Sequence, residues 1–98
     1  MTRRSTRPLR ARPGYMDYAI QGLCLQYLRA LAGYVGDGGG PCNRLLVLES
    51  LGWERRWARA LERWMVREGW IEITDDYTVY LTPKGHRAVG ELTAEGSA

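Results

Sequence analysis

Residues 54–69 read Glu-Arg-Arg-Trp-Ala-Arg-Ala-Leu-Glu-Arg-Trp-Met-Val-Arg-Glu-Gly, and residues 70–83 continue Trp-Ile-Glu-Ile-Thr-Asp-Asp-Tyr-Thr-Val-Tyr-Leu-Thr-Pro. The period of the apolar residues changes between the two halves. In the first, Trp57, Ala60, Leu61, Trp64 and Met65 share one side of a helix at about 100° per residue, which predicts a helix from about Glu54 to Glu68 with that side in the core. Gly69 is a natural stop, because glycine adopts the left-handed conformation that closes a helix. In the second half Ile71 and Ile73 alternate with Glu72 and Thr74. Asp75-Asp76 supplies a turn, and Tyr77, Val79 and Leu81 then alternate with Thr78 and Tyr80. This is the pattern of a tight β-hairpin. Thr82-Pro83 starts a final helix, with the hydroxyl as cap and proline at the first helical position. Ala88, Val89 and Leu92 form its inner face, and Gly90 with the residues from Thr93 onward predicts early fraying.

Upstream, Ile20, Leu23, Cys24, Tyr27, Leu28, Leu31 and Val35 recur at spacings of three and four, so Met16 to Val35 reads as a first helix. Asp17, Gln21, Gln26 and Arg29 mark its wetter side. Tyr18, Leu25 and Ala32, seven apart, share that side and read either as the contact of a homodimer or as ordinary scattered surface apolar residues. The final helix is the other candidate for such a contact. Gly33, Gly36, Gly38, Gly39, Gly40 and Pro41 break the first helix into a loop. No Gly-Lys-Ser/Thr follows, and the loop comes after a helix rather than a strand, which excludes a nucleotide cradle. Asn43 caps a short second helix carrying Leu45, Leu46, Leu48 and Leu51, and Gly52 ends it. The predicted class is mainly α with a small β-hairpin, in the order helix-helix-helix-strand-strand-helix. Residues 15–93 form the domain, 1–14 a flexible basic arm and 94–98 a disordered tail.

Charge is distributed unevenly over the 98 residues. The net charge is +3, from 14 basic and 11 acidic residues. Arg3, Arg4, Arg7, Arg10 and Arg12 fall before Gly14 with no acid among them, so the arm is +5 and the remainder −2. A block of like charge broken by Pro8, Pro13 and Gly14 buries no apolar surface, and its natural partner is a polyanion. The alternative is a solubilising terminus. Arg7-Pro8-Leu9-Arg10-Ala11-Arg12-Pro13 loosely resembles an AT-hook that lacks the central glycine. A second concentration of charge lies on the predicted helix 54–68, where Arg55, Arg59 and Arg63 repeat every four residues with Arg56 and Arg67 at the flank. Read alone, that row is a solvated face with internal ion pairs to Glu62 and Glu68.

Catalysis finds little support. A nucleophile needs a base and an orienting group, and His86, expected at the surface of the last helix, is the only histidine. Cys24 and Cys42 lack metal-ligand spacing and read as free thiols, Cys24 in the core. The Asp75-Asp76 pair is explained by its turn. No catalytic residue, metal or cofactor is therefore expected. No run approaches the roughly 20 apolar residues that span a bilayer, and Met1 to Pro13 has no apolar segment of the signal-peptide kind. The expected location is cytoplasmic, with the nucleoid as the site of action.

The order of elements is similar to the winged-helix domains of bacterial transcription regulators of the MarR-like and PadR-like kind. Leu51-Gly52, Leu61 to Trp64, Glu68-Gly69-Trp70-Ile71 and Tyr80-Leu81-Thr82-Pro83-Lys84-Gly85 resemble that family's helix-turn-helix, its lead-in to the wing and its Leu-Thr-x-x-Gly exit. The resemblance covers about half the chain, from Leu48 to Val89. It implies a winged helix-turn-helix whose helix 54–68 lies in the major groove of double-stranded DNA. Arg55, Arg56 and Arg59 would then read base edges, and Arg63 and Arg67 would meet phosphate or pair with Glu62 and Glu68. The implied function is that of a small transcription regulator, prokaryotic or phage, acting as a homodimer. Two features depart from the family. The hairpin tip is acidic where family wings often carry a basic residue, and the chain is short of the extra helices that hold an effector pocket. Two other readings stay open: a winged-helix module that binds protein, and an accessory DNA-binding protein of a phage or mobile element.

Overall fold

The computed structural model describes the backbone of residues 14–97 and the side chains of residues 19–91. The arm arginines Arg3, Arg4, Arg7, Arg10 and Arg12 and the side chain of Tyr18 lie outside the described residues. Helix α1 spans Gly14–Val35 and is followed by a single 3₁₀ turn at Gly36–Gly38. Strand β1 (Cys42–Asn43), helices α2 (Arg44–Leu51) and α3 (Arg55–Glu68), strands β2 (Ile71–Ile73) and β3 (Thr78–Leu81) and helix α4 (Pro83–Ser97) complete the order. The fold is mainly helical with one small antiparallel sheet.

That sheet has three strands in the order β1-β3-β2, not the two of a lone hairpin. Cys42 and Asn43 pair with Val79 and Thr78, and Ile71, Glu72 and Ile73 pair with Leu81, Tyr80 and Val79. The added strand comes from the end of the glycine loop, whose Gly39 carbonyl accepts from the Leu81 N–H at 2.5 Å. Two residues are too few to display an alternating pattern, so nothing in the sequence marks them as a strand. At the hairpin tip, Tyr77 is 53% exposed and precedes β3 rather than alternating into the core as expected.

The core is built on α1, where Cys24, Tyr27, Leu28 and Leu31 are fully buried at the predicted spacing. Val47 and Leu48 of α2, Ala58 and Met65 of α3, Ile71, Val79 and Leu81 of the sheet and Ala88 of α4 close around them. Ala32 packs against this cluster, while Leu23 and Leu25 are half-buried. Leu46, expected on the inner face of the second helix, is 44% exposed, and Val47 takes its place.

Local signals behave as the sequence predicts at four junctions. The Asn43 side chain accepts from the Leu45 N–H at 2.9 Å to cap α2, while Gly52 and Gly69 end α2 and α3 in the left-handed region. Thr82 joins the end of α3 to the start of α4. Its hydroxyl donates to the carbonyls of Gly69 and Trp70 at 2.6 and 3.0 Å and accepts from the Gly85 N–H at 2.9 Å. Gly85 is buried against Trp70, and a β-carbon there would run into the Trp70 carbonyl and come within 2.7 Å of Leu81 Cδ1. The Thr82-to-Gly85 spacing is thus a close-packing requirement. Helix α4 continues to Ser97, past the Gly90 at which fraying is expected.

Helix α3 departs from expectation in its orientation. Trp57 is 46% exposed and Ala60 is exposed, whereas Ala58, Glu62 and Met65 are buried. At about 100° per residue, the buried face lies about 100° around the axis from the centre of the tryptophan-containing stripe. The small side chain of Ala58 lets the helix approach the core. Trp57 instead packs edge-on against Trp53, with centroids 4.7 Å apart, and Trp64 packs on Trp70 at 5.5 Å.

Candidate functional site

Rotation of α3 puts Glu62 inside the protein, where a lone carboxylate would be costly. Arg44, in the first turn of α2, compensates it. Arg44 donates from Nε to Glu62 Oε2 at 2.9 Å and from Nη2 to Oε1, and Tyr27 of α1 donates its hydroxyl to Oε2 at 2.7 Å. The remaining guanidinium nitrogen, Nη1, donates to the Asp76 carbonyl at 2.6 Å, and the Arg44 N–H donates to the Tyr77 carbonyl at 2.8 Å. One buried arginine therefore ties α2, α3 and the hairpin tip together. Burial pushes the Tyr27 hydroxyl pKa far up, with the Glu62 charge adding, and the hydrogen bond to Glu62 raises that of Arg44 further.

The expectation that Glu62 and Glu68 neutralise the arginine row is overturned. Glu62 is committed to Arg44 and Tyr27. Among the described residues none of Arg55, Arg56, Arg59, Arg63 or Arg67 has a hydrogen-bond or ion-pair partner, and all five are exposed. Arg55, Arg59, Arg63 and Arg67 advance by about 40° every four residues, with Arg56 inside the same arc, so the five form one basic face about 120° wide. The five helix arginines singled out from the sequence, Arg67 included, thus share one exposed face.

Two concavities flank this face where it meets the hairpin. A groove of about 610 Å³ is lined by Arg59, Arg63, Val66 and Arg67 of α3 and by Ile73, Asp75 and Asp76 of the hairpin. A second, of about 250 Å³, lies between Arg55, Arg56 and Arg59 on one side and Asp76 and Tyr77 on the other. The two tip acids differ in role. Asp75 accepts from the Tyr77 N–H at 2.8 Å and from the Thr78 hydroxyl at 3.2 Å, which hold its carboxyl below the usual range and shape the turn. The Asp76 carboxylate accepts no hydrogen bond among the described residues.

The remaining groups carry no comparable assembly. Cys24 and Cys42 are free thiols, and burial pushes Cys24 up to about 12, with the Glu68 charge contributing, so it is a poor nucleophile. His86 is half-buried rather than at the surface, and its Nε2 has no partner among the described residues. No group of three His, Cys, Asp or Glu side chains able to hold a metal is present among the described residues. No described helix is long and apolar enough to cross a membrane.

Sequence reasoning missed Arg44, because a single arginine after a helix cap looks like any first-turn surface residue. The Asn43-Arg44 junction marks the cap but not the depth at which it sits. Comparison with known protein families, with curated proteins and with solved structures returns no match.

Proposed function

We propose that this protein binds double-stranded DNA through the basic face of α3, as a small transcription regulator of winged-helix type. The observation that carries this reading is the set of five exposed arginines on one helix face, none neutralised among the described residues. Arginine suits the task, because its planar fork donates in pairs to phosphate oxygens and to guanine O6 and N7. Arg55 and Arg56 stand at the N-terminal end of α3, where the helix dipole favours anions and disfavours cations. A phosphate placed there offsets both the dipole and the two charges. The element order, with β1 pairing beside the hairpin, is compatible with a winged helix, and the arm arginines Arg3, Arg4, Arg7, Arg10 and Arg12 supply a further polyanion-binding segment. Homodimerisation and action at the nucleoid belong to the same proposal.

A gel-shift titration of a mixed-sequence duplex with the intact chain and with a chain lacking residues 1–13, at two salt concentrations, tests it. Intact protein binds the duplex, and removal of the arm lowers affinity and flattens the salt dependence. Absence of duplex binding by the intact chain removes the reading. The exposed Val66, beside Ile73 in the lining of the larger groove, favours, as the second reading, a module that binds an acidic peptide.

A further inference from the structure

Arg59 and Asp76 border both concavities, from the helix side and the hairpin side respectively. They carry opposite charge, yet they form no ion pair within 4 Å. Each also lacks any other side-chain hydrogen bond among the described residues. The position of Asp76 is nevertheless fixed, because its own carbonyl is held by Arg44 and Arg44 is held by the buried Glu62. Its neighbour Asp75 is spent on the turn.

We infer that Arg59 and Asp76 together form a reader of one G·C base pair, with Asp76 as a specificity-determining residue. The inference rests on the proposed binding of duplex DNA. The major-groove edge of a G·C pair offers two adjacent acceptors, guanine N7 and O6, and then one donor, the cytosine N4 amino group. An arginine fork beside a carboxylate acceptor presents the complementary order of two donors and one acceptor. No other base pair matches it, since adenine places a donor where guanine O6 accepts and thymine has no amino group. The same carboxylate repels phosphate, so it works against any docking that puts backbone rather than a base edge into the groove. The acidic tip that departs from a basic wing thereby acquires a role as a selector, which raises discrimination at the expense of general affinity.

The experiment is selection of bound duplexes from a random-sequence pool by the intact chain, Asp76→Ala, Asp76→Asn and Arg59→Ala, each first checked for folding by circular dichroism. Asp76 is exposed and its carboxylate is unbonded, so both replacements leave the fold in place. The intact chain enriches a G·C pair at one position. Asp76→Ala binds the unselected pool at least as tightly as the intact chain but loses roughly tenfold of the preference at that position. Asp76→Asn shifts the preference there away from G·C, because an amide offers a donor as well as an acceptor. Arg59→Ala loses the same position. Unchanged enrichment in Asp76→Ala, with duplex binding retained, overturns this inference alone. Failure of the intact chain to bind any member of the pool overturns the proposed function and this inference with it.

Discussion

Arg44 and Glu62, eighteen residues apart in sequence, form a two-pronged ion pair whose side chains are 4% and 3% exposed. Neither charge has access to bulk water, so each depends on the other. The hydroxyl of Tyr27 occupies a further lone pair of Glu62, and the Asp76 carbonyl takes the remaining arginine nitrogen. The pair thus sets how far the hairpin tip stands from the basic face of α3.

Removal of either partner leaves an uncompensated buried charge. Arg44→Ala and Glu62→Ala are each expected to cost about 3–5 kcal/mol, read by urea denaturation. The triple variant Arg44→Met, Glu62→Leu, Tyr27→Phe removes both charges and the dependent hydroxyl together. It is expected to be far more stable than the sum of its parts, within about 2 kcal/mol of the parent. Simple additivity would contradict a mutually dependent cluster.

Gly85 and Gly90 lie in the same helix with opposite surroundings. A β-carbon at Gly85 meets the Trp70 carbonyl, whereas at Gly90 nothing lies within 4 Å. Gly85→Ala is expected to destabilise by about 2 kcal/mol, or about 10 °C in the melting temperature of a domain of this size. Gly90→Ala is expected to be neutral or to stabilise by up to about 1 kcal/mol, since alanine is the better helix former. Thermal melts of the two variants decide the matter, and equal losses would count against close packing of α4 on Trp70.

Alkaline pH should weaken the fold through Cys24. Its thiol is raised to about 12 by burial, while an unfolded thiol titrates near about 8.5. Below that value both states keep the proton and its contribution is fully present. Between about 8.5 and 12 the unfolded chain releases its proton first, so stability falls with rising pH by up to about 1.4 kcal/mol per unit. Tyr27, also raised, adds a loss of the same sign above about pH 10. Denaturation of the reduced protein at a series of pH values should show a shallower decline in Cys24→Ala than in the parent; parallel curves would assign the slope elsewhere.

On the basic face, position along the helix should separate two kinds of effect. Arg59→Ala is expected to weaken duplex binding by about 1–3 kcal/mol and to relax sequence preference. Arg63→Ala and Arg67→Ala should lower affinity for all duplexes evenly, each reducing the salt slope by about 1. Fluorescence anisotropy across a salt series measures both quantities. An unchanged slope in the Arg63 and Arg67 variants would place the phosphates elsewhere on the molecule.

Much of the architecture follows from local chemistry. The Asn43 cap, the glycine stops at 52 and 69, the Thr82-Pro83 start of α4 and the alternation from Ile71 to Leu81 are each explained within a few residues. The arginine repeat on α3 also follows from spacing alone, because residues four apart share a helix face whatever that helix packs against.

The sequence by itself therefore determined the helices, the hairpin and the presence of a basic face. Tertiary structure decided which face of α3 enters the core, that Cys42–Asn43 becomes a third strand, and that Asp75 and Asp76 part company. The strand at Cys42–Asn43 is too short to show a pattern, and the other two share one physical reason. A periodic pattern records how hydrophobic each residue is, and by that measure the tryptophans of α3 belong inside and Glu62 outside. The outcome instead depended on Arg44, whose charge makes Glu62 a stable interior residue and whose hydrogen bonds to the hairpin fix the position of Asp76. No property of Glu62 or Asp76 alone carries that information, because it belongs to contacts made only when the chain has folded.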